Sequence, residues 1–507
     1  MKNQKVNKDT MKISNSYSAL IALLFVSLGF GQDNIFLDRT YWQANPSIAD
    51  IEKDITDGND ITALTSAMFD PVCYALMEKT DNATIKYLLS KEGNEVDKLT
   101  HDGRTYIFWA AYRNNLEMMQ YLVEKGAKAN IEDSHGYSVM NFAAVTGQTN
   151  PELYDFLLAN KADIQSKNHN GANALLLVAP FAKKYELIQY FVDKGISLSS
   201  QDNYGNGLFH YAVKGGKISL LKDLVSKGID FNTKNKNGGN AILMASQGTR
   251  NFQNPLETYI YLEGLGLKAN DTDSEGRNPL HAIAKKSEDL SIFKYFIEKG
   301  VDVSQKDVDG VSPFMNAANH NSLEVVTFLA DYVTDFNAKD ENGRSALMMA
   351  VNRNNPEVVK FLLEQGADTK TKDKKGNTLA HAVLNTFDQK KPKVFETKLS
   401  LLQAKGLDVK EVQENGNTIL HLAAKENNLS LLKRLKAFDI DINHKNNDGN
   451  TALHLAAMSS TSTDILKHLV DQGADSTIQT DFEESVYDLV SENEKLKGQL
   501  SSLDFLK

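Results

Sequence analysis

Glycines recur along most of this chain at a nearly constant interval. They stand at 103, 136, 171, 205, 238, 276, 310, 343, 376, 416 and 449, spaced 33 to 35 residues apart except for 38 after Gly238 and 40 after Gly376. Each is followed by a short apolar stretch with helical patterning. Self-similarity at such a period marks a repeat architecture, in which each unit buries its apolar face only against its neighbours.

The internal pattern separates this array from other helical-hairpin repeats. Gly416-Asn-Thr-Ile-Leu-His-Leu-Ala-Ala424 and Gly449-Asn-Thr-Ala-Leu-His-Leu-Ala-Ala457 both resemble the ankyrin signature Gly-x-Thr-Pro-Leu-His-x-Ala-Ala, and Pro279-Leu280-His281 keeps its proline. The second half recurs as Asn355-Pro-Glu-Val-Val-Lys-Phe-Leu-Leu-Glu-Gln-Gly-Ala-Asp368, with further copies ending at Gly126, Gly195 and Gly473. The resemblance implies an all-α ankyrin-repeat solenoid of helix-turn-helix units with β-hairpin-like tips. About twelve units plus terminal caps are expected.

Within a unit, each recurring residue type has a mechanical reason. The leading glycine supplies positive φ for the tip turn. Thr105, Thr378, Thr418 and Thr451 suit a helix start, where a hydroxyl caps free amides. Small alanines allow close helix approach, and pairs such as Leu362-Leu363 fill the space between units. Gly126, Gly195, Gly228, Gly300, Gly366 and Gly473 sit where the second helix stops in a left-handed residue. The first helix often ends in Asn114-Asn115, Asn354-Asn355 or Asn427-Asn428, where asparagine is expected to adopt that same conformation.

The pattern divides the chain into four stretches. Residues 1–31 combine Lys2, Lys5, Lys8 and Lys12 with the apolar run Ala19–Phe30 and small residues at Gly29 and Gly31, which reads as a signal peptide cleaved before Gln32. Met11 is an alternative start. The apolar run is shorter than the roughly 20 residues of a spanning helix, so no stable membrane span is expected after cleavage. Residues 32–68 read as an N-terminal cap, with one helix from Ser47 to Thr56. Residues 69–482 form the array, whose first glycine slot is taken by Phe69. Residues 483–507 read as C-terminal capping helices, with Asp488 in a histidine slot. The extra residues of the long units, 246–255 and 385–394, fall between the two helices as surface loops. The second carries Lys390, Lys391 and Lys393.

The net charge of −10 argues against a nucleic-acid or anionic-membrane binder, which needs a basic face. One cysteine, Cys73, excludes intramolecular disulfides and cysteine-built zinc sites, and its apolar helical setting makes it a core residue. His210, His281, His381, His421 and His454 all fall five residues after a unit glycine. The ankyrin resemblance implies that they bond backbone in the hairpin region, one per unit. Asp271-Thr-Asp-Ser-Glu-Gly276 copies the opening of a calcium loop, but its twelfth position is Ala282 where a bidentate glutamate is required. No serine-hydrolase elbow, zinc-protease motif or phosphate loop is present. No cofactor, metal site or catalytic residue is expected, and the chain is read as a non-enzyme.

The resemblance implies protein binding through two surfaces, the row of tips and the concave face of the first helices. The residues before each glycine, His101, Asp102, His135, Tyr204, Asn237, Glu275, Asp309 and Asn342, are the tip candidates. Tyr112, Arg113 and Asn319 are candidates on the helix side. The expected partner is a large or elongated protein, met after export to the periplasm or the exterior of a Gram-negative bacterium. A released effector, a toxin-immunity factor, or a weak ligand or calcium binder using the acidic tips are the alternatives.

Overall fold

The computed structural model describes residues 34–507. The signal-peptide reading falls outside the described residues. The chain forms two compact units, one up to His101 and one from Asp102 to the C-terminus. Among the described residues there are helices, turns and isolated bridges such as Glu132–Ser138, Gln201–Gly207 and Lys339–Ser345, but no strand.

The first unit contains helices Arg39–Gln43, Ile48–Thr56, Pro71–Glu78 and Asn82–Leu88. Ser47 and Asp50 form a reciprocal capping box that starts the second of these. The extra helix at Arg39–Gln43 is too short for a 3.6-residue period to register in sequence. Its Trp42 is fully buried and donates its indole N–H to the Phe36 carbonyl oxygen at 2.8 Å. Cys73 is buried too, and burial pushes its thiol pKa up, away from nucleophilic chemistry.

In the second unit every repeat glycine is followed by a helix pair. The Gly343 repeat illustrates why. Ser345 accepts a hydrogen bond from the Met348 amide at 3.3 Å and starts Ala346–Arg353. Asn355 caps the next helix, Pro356–Glu364, whose first residue is proline, where no amide is needed. That helix buries Val358, Val359, Leu362 and Leu363 at helical spacing and stops before Gly366, whose φ is 85°. Burying each such side chain contributes about 1.5–3 kcal/mol.

Asparagine at the end of the first helix does two different jobs. Asn114 and Asn427 are left-handed, at φ 52° and 53°. Asn354 is not: it is extended, with φ −90° and ψ 179°. Its amide instead donates to the Ala318 and Asn321 carbonyl oxygens of the preceding repeat, both at 2.9 Å. Asn321 bonds Ala284, Asn254 bonds Val213 and Asn493 bonds Ala457 in the same way, at 2.9 Å each. The acceptor always lies eight residues after its repeat glycine, at a helix end with orphan carbonyls. Burial of the asparagine makes this stitch valuable, since an unpaired carbonyl there costs about 1–3 kcal/mol.

The second helices are laced by a tyrosine-acid-lysine motif. Tyr190 donates to Asp155 at 2.9 Å while Lys194, one turn on, pairs with the same carboxylate at 2.7 Å. Tyr295, Glu263 and Lys299 repeat it at 3.0 and 2.6 Å.

The long repeats differ from each other. After Ala241–Gln247 the extra residues fold into a small turn bridged between Thr249 and Phe252. In the Gly376 repeat the second helix, Lys393–Ala404, is itself 12 residues long, and Phe387 meets Phe395 edge-on at 5.3 Å. At the C-terminus, Val486–Glu492 is α-helical, and the segment beyond it is 3-10 helix over Glu494–Ser502 and Asp504–Leu506.

Candidate binding surface

The tips are built by a residue the glycine pattern hides. Three positions before the repeat glycine stands Asp or Asn in nine repeats: Asn168, Asn235 and Asn446, and Asp133, Asp202, Asp273, Asp307, Asp340 and Asp373. In each, one side-chain oxygen accepts from the amides two and four residues on. At Asp340 these bonds, from Asn342 and Arg344, are 2.9 and 2.8 Å. At Asp307, from Asp309 and Val311, they are 3.0 and 2.9 Å. A carboxylate or amide one carbon from the backbone is the right length for this self-capping turn. The glycine that follows must be free of a Cβ, which at Gly310 or Gly343 would meet the next tip's backbone nitrogen at 2.7 Å.

Successive tips are stapled through backbone. Tyr204, Asn237, Glu275, Asp309 and Asn342 each offer their carbonyl oxygen to an amide of the following tip, at 2.8, 2.7, 2.9, 2.8 and 2.8 Å. Asp102 and His135 do the same at 2.9 and 3.4 Å. The sequence-derived tip candidates thus hold the array with their main chain, leaving their side chains differently engaged. Tyr204, His135, Asp309 and Asn342 are exposed, whereas Asn237 and Glu275 are half-buried. Glu275 pairs with Arg277 at 2.8 Å. Asp102 is left-handed and pairs with Arg104 at 3.1 Å, and His135 stands 3.5 Å from the same carboxylate.

His101 belongs to the first unit. Its Nδ1 bonds the Ala67 carbonyl oxygen at 2.9 Å and its ring stacks on Phe69 at 4.3 Å, so it is held against its own repeat. On the helix side, the half-buried Arg113 lies 4.8 Å over the Tyr112 ring, and Asn319 bonds His320 at 3.0 Å. These candidates form a series along the array and do not converge on a centre.

The row of tips also exposes apolar side chains that the choice of the residue before glycine passed over. Val308 is 61% exposed and Phe482 is 82% exposed, and Tyr204 adds its half-exposed ring. An isolated apolar residue inside an otherwise polar tip was the available signal.

Three of the five slot histidines stitch neighbouring repeats. His421 accepts from the Thr418 amide at Nδ1 (3.2 Å) and donates from Nε2 to the Asn450 carbonyl oxygen (2.9 Å). His454 does the same between Thr451 and Ile478, at 3.0 and 2.9 Å, and His281 between Asn278 and Val311, at 3.0 and 3.1 Å. A ring that accepts on one nitrogen and donates on the other is the neutral form. Burial pulls each pKa down, to about 4 at His421.

The carboxylates of the calcium-like tip are already engaged. Asp273 accepts from Glu275, Arg277 and the Arg277 guanidinium, and Asp271 pairs with Lys234 at 2.8 Å. Among the described residues no group of three or more His, Cys, Asp or Glu is placed to hold a metal ion. None of their helices is long and apolar enough to cross a membrane.

Comparison with known proteins agrees with this geometry. A family model described as ankyrin repeats (three copies) matches residues 72–168, 148–235, 241–340 and 393–480, and one described as ankyrin repeats (many copies) matches 332–381. The ankyrin repeat and SAM domain-containing protein 6 of Rattus norvegicus is 35% identical over 18% of this chain and 10% of its own length. A putative ankyrin repeat protein of fowlpox virus is 31% identical over 26% of this chain and 19% of its own. The phosphocholine transferase AnkX of Legionella pneumophila is 25% identical over 24% of this chain and 13% of its own. This chain therefore spans less than a fifth of each of these relatives.

Proposed function

This chain belongs to the ankyrin-repeat family, and from that premise we propose that it is a non-catalytic scaffold that binds another protein through its tips and concave helix face. Ankyrin repeats imply protein-protein interaction. The observation that carries the reading here is the division of labour at the tips. Main-chain carbonyls and the Asp or Asn three residues before glycine hold the array together, so Tyr204, Val308, Asp309, Asn342 and Phe482 are free to meet a partner. A row of exposed aromatic and apolar side chains on rigid turns suits a protein surface. An array of this length offers more than the ~800 Å² per partner of an ordinary interface, which suits a large or elongated partner.

The proposed setting is the envelope of a Gram-negative bacterium. Support for export comes from the lysine-bearing start and the Ala19–Phe30 apolar run. The acidic balance favours a protein partner over nucleic acid.

In-cell crosslinking of the tagged full chain, with mass spectrometry of the envelope fraction, tests both parts. One dominant envelope protein, lost when Tyr204, Val308 and Asp309 are changed together to alanine, is the expected result. Recovery only from the cytoplasm would overturn the location, and absence of any specific partner would overturn the scaffold.

A further inference from the structure

At the joint between the Gly376 and Gly416 repeats the backbone tip staple is replaced by side-chain bonds, and a cleft opens there. The tip staple that runs through Asn342 is absent after Lys375; the Glu414 amide instead takes the Asn377 side-chain oxygen at 3.1 Å. The cause is legible at Gln413, which occupies the slot held by Asp or Asn in nine other tips. One methylene longer, its side chain does not cap its own turn. It reaches back to the preceding repeat, where its Oε1 accepts from the Thr378 amide at 2.8 Å. That amide is the group that His421, His454 and His281 bind with Nδ1 in their own repeats.

His381 is consequently left without the amide its counterparts bind. Its imidazole makes no hydrogen bond and is half-exposed, whereas His281, His421 and His454 are buried. It lines a cleft of about 940 Å³ between helices Leu379–Leu384 and Ile419–Lys425. Leu384, Leu422 and Leu455 contribute apolar surface, while Lys425 and Glu426 stand exposed with no ion pair of their own. The other long repeat behaves alike, with clefts of about 310 and 300 Å³ on either side of Ala241–Gln247.

We propose that the Gln413 substitution and the long Gly376 repeat together create a side-chain-accepting pocket in the concave face, which takes an extended peptide segment of the partner with one large apolar residue as its anchor. This rests on the protein-binding reading above. The occupant follows from the lining: three leucines for one apolar anchor, set among a majority of polar side chains, with one free acid, one free base and an imidazole, for the polar main chain and flanking groups. The volume exceeds that of one side chain, so several peptide residues enter together. The pocket is continuous with the first-helix face through which the scaffold is read to bind.

The test has two stages on the full chain. First, thermal unfolding and hydrogen exchange of His381→Ala are compared with those of His421→Ala. His381→Ala is expected to leave protection of its repeat unchanged, and His421→Ala to reduce it; equal loss would make His381 a structural histidine and overturn the pocket. Second, a random heptapeptide display library is selected on the wild-type chain. Enriched peptides should share a large apolar residue, weaken at least tenfold against His381→Ala and against Asn385→Trp at the exposed rim, and ignore Tyr204→Ala. Peptides insensitive to both cleft variants but lost with Tyr204→Ala would overturn the pocket and leave the scaffold reading standing. Failure to enrich any peptide would also overturn the pocket, with the scaffold judged separately by the in-cell capture.

Discussion

The Lys398 ammonium donates a 2.7 Å hydrogen bond to the carbonyl oxygen of Val351, and the side chain is buried to 1% exposure. Val351 lies eight residues after Gly343, the acceptor position that the buried Asn254 and Asn321 serve in other repeats. The long loop of the Gly376 repeat leaves no asparagine at that point, and a lysine from the following helix reaches the orphan carbonyl instead. Burial depresses the Lys398 pKa to about 8.

That depression predicts an alkaline gain in stability. Between pH 8 and the unfolded value of 10.5 the folded chain holds fewer protons than the unfolded one, so stability rises with pH, by up to about 3 kcal/mol. Hydrogen exchange in Lys393–Ala404, corrected for intrinsic rates, should slow relative to distant helices across this window. Lys398→Met should abolish the difference; persistence in that variant would refute the assignment.

Acid should loosen the same array at its histidine stitches. His281, His421 and His454 have folded pKa values below 6.5, so their contribution is complete above that value and is lost as pH falls toward the folded values. At His421, with a folded value of about 4, the loss is of the order of 3 kcal/mol. Exchange protection should fall as pH drops below 6.5 first in the repeats beginning at Gly276, Gly416 and Gly449. Uniform loss along the array would contradict the nearest-neighbour picture.

The tips sort into holding and reading positions. Asp340→Ala and Asp307→Ala remove turn bonds and should each destabilise by about 1–2 kcal/mol. Asn342→Ala and Asp309→Ala keep the backbone staple, so stability should change by no more than about 0.5 kcal/mol while partner binding weakens. Denaturant unfolding alongside partner capture distinguishes the two classes, and a reversed order of stabilities would sink the division.

Gly215 is required by proximity rather than by φ. A Cβ there would stand 1.7 Å from the Pro180 carbonyl oxygen, whereas at Gly228 it would meet nothing within 4 Å. Gly215→Ala should therefore cost about 1–3 kcal/mol through forced backbone movement. Gly228→Ala bears only the left-handed penalty of about 1–2 kcal/mol. Thermal melts of the two variants, each with an exchange map, compare local disruption at Ala179–Phe181 with none.

Much of the array was legible because its causes are local. Glycine spacing, Pro at first helical positions and the Leu362-Leu363 pair all act within one repeat, and eleven glycines in one register make their pattern unmistakable. The binding surface was legible by position only. The tip residues follow from the glycine register, but their exposure does not: nothing local in the sequence shows that Val308 and Phe482 stand exposed or that the tip candidate His101 packs on Phe69.

The sequence alone determined the family, the order of helices and the places where two repeats run long, because backbone propensity and apolar period are properties of neighbouring residues. Tertiary structure alone decided which polar groups are spent on stitching. Asn354 looks like a left-handed turn residue until Ala318 lies beside it, and His381 looks like its four counterparts until Gln413, 32 residues later, takes the Thr378 amide. Those outcomes depend on which groups a neighbouring repeat brings within hydrogen-bond reach, and a buried donor or acceptor takes whichever partner arrives there.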